Sequence, residues 1–318
     1  MPAEPNSQSQ DNLIWAVLLH LSYNMWSDRD APDWGTDYIS AKPYLRFDEN
    51  LWANLLHKAA QGGLNMVLID LGDGIRYQSH PEIAVQGAWS VERLKQELAQ
   101  MRQIGLEPIP KLNFSTAHDT WMGPYARMVS TDAYYGVCRD LIAEVIDLFD
   151  RPRFFHLGMD EETAEHQRHY AYMLVRQYDL WWHDLHFSID QVERGGSRAW
   201  VWSDYIWHHP ETFLAEMPRS VLQSNWYYGT RFDDEVVAAR AYRDLEAHGF
   251  DQVPTGSNWS DPANFRLTAE YCREHIAPSR LKGLMQTVWK PTLEECRERH
   301  WQALDLVEQT RAKWRTEG

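Results

Sequence analysis

Short apolar runs alternate with longer amphipathic segments along almost the whole chain, and this alternation restricts the possible fold more than any other feature. Apolar runs bounded by Gly, Pro or polar residues predict buried strands, and apolar residues at helical spacing predict helices. The predicted strands cover 14–21, 65–71, 107–112, 154–158, 199–202, 221–224, 252–256 and 283–288. The predicted helices cover 49–61, 90–104, 131–149, 165–193, 210–216, 233–248, 264–275 and 293–313.

Eight strand–helix pairs without a break in composition predict one α/β domain, a single (β/α)8 TIM barrel over residues 13–318. The length of 318 residues suits such a barrel, which typically needs about 250 residues plus insertions. The polar residues 1–12 are expected to form a disordered N-terminal segment.

The fourth predicted strand is followed almost at once by two adjacent carboxylates, Asp160 and Glu161. A barrel keeps its chemistry at the carboxyl ends of its strands. Adjacent residues on an extended backbone point to opposite sides, so these two carboxylates are expected to differ in environment and in pKa. Acid-assisted cleavage of a glycosidic bond requires such a pair. The same Asp-Glu pair is, however, also typical of a helix N-terminus, where it only caps the helix.

Tryptophan is the compositional outlier, with 16 residues in the chain. Large rings can simply fill a large core. A set that recurs at successive strand ends instead favours a pocket in which aromatic faces stack on sugar rings. The residues of this set are Trp26, Trp121, Trp202, Trp207, Trp226, Trp259 and Trp289.

The charge of the chain argues against two classes of partner. The formal net charge is -15, and such a surface repels nucleic acid and anionic membranes. No run reaches the roughly 20 apolar residues of a membrane span. The three Cys and the scattered His residues match no metal-ligand spacing, so neither a metal nor a cofactor is expected. The expected partner is a carbohydrate substrate, and the oligomeric state stays open.

The start of the chain predicts the compartment only weakly. The run 13–21 has no basic segment before it and no small-residue cleavage site after it, so it is interpreted as the first strand and not as a signal peptide. A cytoplasmic location is therefore expected, although a secreted protein trimmed at its N-terminus would look the same.

Several segments resemble the family 20 glycoside hydrolases, the β-N-acetylhexosaminidases, over about residues 13–310. The family's His-x-Gly-x-Asp-Glu after strand four is matched by His156, Gly158, Asp160 and Glu161. Weaker matches follow the other strands in the family's order: Asp70 to Asp73 with His80-Pro81-Glu82, Pro110 to Asn113 with His118, Trp202-Ser203-Asp204, Trp226-Tyr227, and Trp289. The resemblance implies the barrel fold and hydrolysis of glycosides.

The departures from the family concern groups that grip the terminal sugar or tune the acid. The stretch 21–24 lacks the family's Arg, and Pro291 stands where the family has a Glu after the strand-eight Trp. Asn113 replaces an Asp, and Asp70 replaces a His. The accessory N-terminal domain common in the family is not found in this sequence. These departures leave open which sugar is bound.

The family's mechanism is substrate-assisted: the 2-acetamido oxygen of the substrate attacks the anomeric carbon. By resemblance, Glu161 would be the general acid and base, and Asp160 would stabilise the acetamido group. Tyr227 would hold the acetamido oxygen, and His118 would contact Glu161. The residues expected to bind substrate are Trp202, Trp226, Trp289, Asp73, Asp204, Asn113 and Trp259.

Two alternatives remain open at this point. The same barrel and acid could act on another β-glycoside or on a modified amino sugar, because the Arg and the strand-eight Glu are missing. A carbohydrate-binding barrel without catalysis is the third possibility, although a pure binder has no need of an acid such as Glu161.

Overall fold

Eight parallel strands alternate with eight helices in the computed structural model of the protein, which describes residues 13–30 and 38–316. The predicted disordered segment 1–12 lies outside the described residues. The strands are β1 (Ile14–His20), β2 (Met66–Asp70), β3 (Glu107–Lys111), β4 (Phe154–His156), β5 (Arg198–Trp202), β6 (Leu222–Ser224), β7 (Thr255–Ser257) and β8 (Gly283–Thr287). The helices are α1 (Glu49–Gln61), α2 (Val91–Gln103), α3 (Asp132–Leu148), α4 (Asp179–Arg194), α5 (Pro210–Glu216), α6 (Val237–Ala247), α7 (Asn264–His275) and α8 (Arg297–Thr316).

The strands form a nearly closed ring, which confirms the predicted (β/α)8 barrel. Neighbouring strands pair in parallel in the order β6-β5-β4-β3-β2-β1-β8-β7. Isolated bridges from Gln223 to Gln252 and from Trp226 to Thr255 join the two ends of this order. All the strand ends that carry polar residues therefore meet at one face of the barrel.

The core has two layers, and the period-two pleat of the strands divides the apolar residues between them. In β1, Ile14, Ala16 and Leu18 belong to the cluster inside the barrel, while Trp15 and Val17 belong to the cluster between strands and helices. Strands buried on both faces need near-continuous apolar runs, which is why they were visible in the sequence.

One expected helix is much shorter than predicted. The sequence predicts a helix over 165–193, but α4 begins only at Asp179. The chain before it has no regular structure, because buried polar contacts replace helical hydrogen bonds there. The guanidinium of Arg176 binds Glu162 at 2.7 Å, Asp184 at 2.9 Å and the carbonyl of Phe114 at 2.9 Å. This segment is instead a long loop that lies over the end of β4.

A layer of polar side chains crosses the barrel interior at the carboxyl ends of four strands. The strand register aligns His20 with Asp70, Asp70 with Lys111, and Lys111 with His156. All four side chains are buried. Lys111 forms an ion pair with Asp70, and His20 Nδ1 lies 3.5 Å from the same carboxylate. Burial alone would raise the pKa of Asp70, but the charge of Lys111 and the contact with His20 hold it below its usual value.

No helix among residues 13–30 and 38–316 is long and apolar enough to cross a membrane. All three cysteines, Cys138, Cys272 and Cys296, are buried and form no disulfide.

We expect Lys111→Met to lower the free energy of unfolding by about 3–5 kcal/mol, because it leaves the buried Asp70 carboxylate without its charge partner. The double variant Lys111→Met/Asp70→Leu removes both charges and should recover much of that loss. Denaturant unfolding measures both values.

The matched control is Arg153→Met, which breaks the exposed Arg153–Glu107 ion pair that also involves β3. Its cost should not exceed about 1 kcal/mol. Equal losses for Lys111→Met and Arg153→Met would contradict a stabilising role of the buried pair.

Candidate active site

The loop that follows β4 carries the two adjacent carboxylates into the polar end of the barrel. Its backbone has positive φ at Gly158 (72°), Met159 (72°) and Glu161 (56°), a conformation that is costly for residues other than glycine. The His156 Nδ1 atom accepts a hydrogen bond from the Gly158 N–H at 3.0 Å, so His156 supports the turn from the end of β4. The sharp turn places Asp160 in the interior and Glu161 partly in the open.

Asn113 fixes this turn from the neighbouring strand. Its side-chain oxygen accepts a hydrogen bond from the Met159 N–H at 3.2 Å, and its amide donates to Asp160 Oδ1 at 2.8 Å. An Asp at this position could not donate to Asp160 at neutral pH. Asn113 is therefore a partner of Asp160, where the sequence had suggested a substrate contact.

The His118 imidazole lies between the two carboxylates. Its Nε2 atom is 3.5 Å from Asp160 Oδ2 and 3.3 Å from Glu161 Oε2. Burial alone would lower the pKa of His118, but the two carboxylates raise it to about 10. Burial alone would likewise raise the pKa of Asp160, but the charge of His118, with help from Lys111 and Asn113, holds it below its usual range. His118 is therefore charged and Asp160 is ionised at neutral pH.

Glu161 is the carboxylate that reaches the pocket. Its Oε1 atom lies 3.4 Å from His166 Nε2, so the carboxylate is held between two imidazoles. Its side chain is 19% exposed, compared with 5% for Asp160. This difference confirms that the two adjacent carboxylates occupy different environments, as the sequence predicts.

Asp204, from the loop after β5, binds the backbone of the turn at residues 158–161, which is called the acidic turn because it carries Asp160 and Glu161. Its carboxylate accepts hydrogen bonds from the Glu161 N–H at 2.9 Å and from Trp226 Nε1 at 3.2 Å. Burial, together with the negative charges of Asp160 and Glu161, raises the pKa of Asp204 to about 8. Asp204 thus positions the backbone of Glu161 and lies outside the pocket lining.

A pocket of about 330 Å³ opens above these groups. Its walls are mainly aromatic, and carboxylates and cationic side chains complete the lining. The lining residues are Tyr23, Trp26, Tyr38, Ile39, Asp160, Glu161, Glu165, His166, Arg168, Trp226, Tyr228, Trp259, Trp289 and Lys290.

The predicted tryptophans occupy different depths. Trp226, Trp259 and Trp289 line the pocket, and Trp259 is 46% exposed at its rim. Trp202 is buried in the barrel interior, with its ring centre 4.5 Å from that of His156 and 6.1 Å from that of Trp289. Trp202 therefore supports the floor and does not form a wall.

Two further predicted site residues, Tyr227 and Asp73, also lie outside the pocket lining. The ring of Tyr227 points away and packs against Phe232 at 5.2 Å, and the next residue, Tyr228, lines the pocket instead. The carboxylate of Asp73 is buried and bound by Ser22 and by Asn24. Asp73 thus fixes the loop after β1, and burial raises its pKa to about 6.

Sequence reasoning did not select several lining residues as site residues. Tyr228 follows a strand end, and that position was the available signal, whereas Trp26 already belongs to the set of strand-end tryptophans that favours a sugar pocket. Tyr38, His166 and Arg168 belong to long irregular segments, and nothing in their spacing indicates that these segments fold back over the barrel mouth.

Among the described residues, His118, Asp160 and Glu161 form a group whose ligand atoms lie within 4.8 Å of one another, close enough to share a metal ion. In this structure the His118 imidazole faces both carboxylates, so one positive charge is shared between them.

Comparison with known proteins gives similarity in structure only. No protein-family model and no curated protein sequence matches the chain. Among solved structures, the GH20 exo-β-N-acetylglucosaminidase of Vibrio harveyi, in complex with N-acetylglucosamine, is similar with a TM-score of 0.62 and 14% identity over 94% of this chain and 56% of that one. The β-N-acetylhexosaminidase of Bacteroides fragilis has a TM-score of 0.62 and 14% identity over 93% and 65%. A Streptomyces plicatus β-hexosaminidase variant, in complex with its product, has a TM-score of 0.64 and 14% identity over 94% and 63%.

The chain therefore has the barrel fold of the family 20 glycoside hydrolases, in a divergent form, as the sequence motifs imply. It spans about three fifths of the length of the solved structures that it matches.

We expect Gly158→Ala to disrupt the site, since a Cβ atom there would lie 2.0 Å from Asn113 Oδ1 and 2.8 Å from Asn113 Cα. The matched control is Gly105→Ala, at φ 84° with no atom within 4 Å of the new Cβ. The control should lose only the backbone cost of about 1–2 kcal/mol. Gly158→Ala should lose about 1–3 kcal/mol more through overpacking. Equal losses in denaturant unfolding would mean that the close approach to Asn113 is unimportant.

The charged state of His118 predicts how stability depends on pH. Its pKa in the folded protein is raised above the ordinary 6.5, so its contribution is fully present below pH 6.5 and is lost as the pH rises through about 10. We expect His118→Gln to flatten the fall in unfolding free energy over this range. His57→Gln, at an exposed position on α1, serves as the control and should keep the wild-type profile. Parallel profiles for the wild type and His118→Gln would contradict the assignment.

Proposed function

We propose that the protein is a glycoside hydrolase, a retaining exo-acting enzyme similar to β-N-acetylhexosaminidases, that works by substrate assistance. The observation that carries this proposal is the arrangement of Asp160 and Glu161, both in contact with His118 at the base of an aromatic pocket. The fold it shares with family 20 hydrolases supports the same conclusion.

Glu161 is the general acid and base in this proposal. It is the partly exposed member of the pair, so it can reach the glycosidic oxygen of a sugar in the pocket. The imidazoles of His118 and His166 flank its two oxygens and stabilise the carboxylate once the proton has been transferred.

Asp160 stays ionised and acts on the substrate's own nucleophile. A buried carboxylate with a lowered pKa can accept the acetamido N–H and stabilise the positive charge that develops on the cyclic intermediate. The ligand atoms of Asp160 and Glu161 lie within 4.8 Å of each other. Both can therefore act at one anomeric centre, where attack first by the acetamido oxygen and then by water would retain the configuration.

The aromatic walls suit a single sugar ring. A pocket of about 330 Å³ is at the small end of the 300–1,000 Å³ typical of ligand sites, which favours binding of one terminal residue. Tyr228, in place of Tyr227, is the tyrosine that can hold the acetamido oxygen. Its hydroxyl accepts a hydrogen bond from Trp289 Nε1 at 2.9 Å and lies 3.3 Å from Thr287 Oγ1, and these two contacts fix its position in the lining.

We expect turnover of a chromogenic β-N-acetylglucosaminide or β-N-acetylgalactosaminide, with kcat reduced by at least about 100-fold in both Glu161→Gln and Asp160→Asn. A thiazoline that mimics the cyclic intermediate should inhibit the wild type. Asp73→Asn, a buried carboxylate outside the pocket, is the matched control and should retain most of the activity.

Other outcomes of the same panel identify the alternatives. Turnover limited to glycosides without an acetamido group, unaffected by the thiazoline, would replace substrate assistance by covalent catalysis with Asp160 as nucleophile. Sugar binding without turnover of any glycoside would indicate a carbohydrate-binding barrel.

A further inference from the structure

Lys290 occupies an unusual position in the pocket lining. It follows Trp289 directly after β8 and is half-buried at the rim. Its ammonium lies 5.2 Å from the centre of the Tyr38 ring and 5.6 Å from that of the Trp259 ring. The two rings hold the Lys290 ammonium at the rim of the pocket, where it would meet a bound sugar.

The carboxylates that line the pocket already have cationic or ionisable neighbours. These pairs are Asp160 with His118, Glu161 with His118 and His166, and Glu165 with Arg168. Among the described residues, no carboxylate forms an ion pair with Lys290, whose contacts are the two aromatic rings. The described part of the pocket rim therefore contains a cation without a carboxylate partner.

A bound sugar would make the lack of a carboxylate partner for Lys290 important. A ring stacked against Trp259 would displace water from the ammonium, and an uncompensated charge that loses water costs free energy. An anionic group on the ligand would supply the missing partner and form a charge-assisted hydrogen bond. With a net charge of -15, the rest of the surface gives anions no general attraction, so selectivity would come from Lys290 itself.

We propose that the pocket recognises a sugar that carries an anionic substituent, either a sulfate ester or a carboxylate, and that Lys290 binds this group between Tyr38 and Trp259. The proposal deepens the proposed function, since it concerns the substrate of the same pocket. It rests on that function only for the ligand being a sugar, and not on catalysis.

Calorimetric titration with monosaccharides tests the proposal without requiring turnover. N-acetylglucosamine is compared with its 6-sulfate, and glucose with glucuronic acid, so that the two arms distinguish sulfate from carboxylate. At least one anionic sugar should bind about ten-fold more tightly than its neutral counterpart. Lys290→Met should remove this preference by weakening the anionic sugars about ten-fold more than their neutral counterparts, while Lys290→Arg should keep it.

The matched control is Lys282→Met, since Lys282 precedes β8 at the opposite end of the barrel and pairs with Asp251 at 3.3 Å. It should leave all affinities unchanged. Equal affinity for neutral and anionic sugars, a preference that survives in Lys290→Met, or no binding of either anionic sugar would overturn the proposal. Anion-selective binding with no hydrolysis of any glycoside would sustain it and refute the proposed catalysis instead.

Discussion

The contact between one buried imidazole and two adjacent carboxylates is the interaction on which the site depends. Two carboxylates this close repel each other, and burial of either one as an ion is costly. His118 offsets both effects because its Nε2 atom faces Asp160 and Glu161 together. The turn at 158–161, the amide of Asn113 and the carboxylate of Asp204 all maintain this geometry. The positive φ of Glu161 is tolerated because these contacts determine the backbone conformation.

The polar layer inside the barrel contributes to the same electrostatic balance. Lys111 lies at the end of β3, one strand from the acidic turn, and its charge helps to lower the pKa of Asp160. His156 stays neutral there, since burial and the charge of Lys111 both lower its pKa. It can therefore accept the Gly158 N–H. A layer that is costly within the barrel core thus helps to keep Asp160 ionised, while Glu161 reaches the pocket.

The sequence predicts the elements whose signal is local. The apolar runs of β1 and β3 and the limits of α1, α5 and α7 are recovered because burial on both faces and helical periodicity mark them. The helix over 165–193 is wrong in its first half, because the contacts of Arg176 with Glu162 and Asp184 are distant in sequence and override local propensity. The structure places Tyr228 in the pocket instead of the predicted Tyr227, and local sequence signals fail here as well. Which of two adjacent rings enters the pocket depends on the exact exit angle of β6, and no pattern in the sequence specifies that angle.

Several departures from the family motifs have a common effect: an uncharged residue stands where the family has a charged one. Asn113, in place of an acid, donates a hydrogen bond to Asp160 and removes one negative charge from beside it. Pro291, in place of a Glu, removes another from the end of β8, next to Lys290. The loop after β1 supplies Tyr23 and Trp26 to the lining where the family has an Arg. Asp160, Glu161 and His118 match the family motifs, while the positions where the family grips sugar hydroxyls differ. This combination agrees with the proposal of a glycosidase that acts on a different sugar.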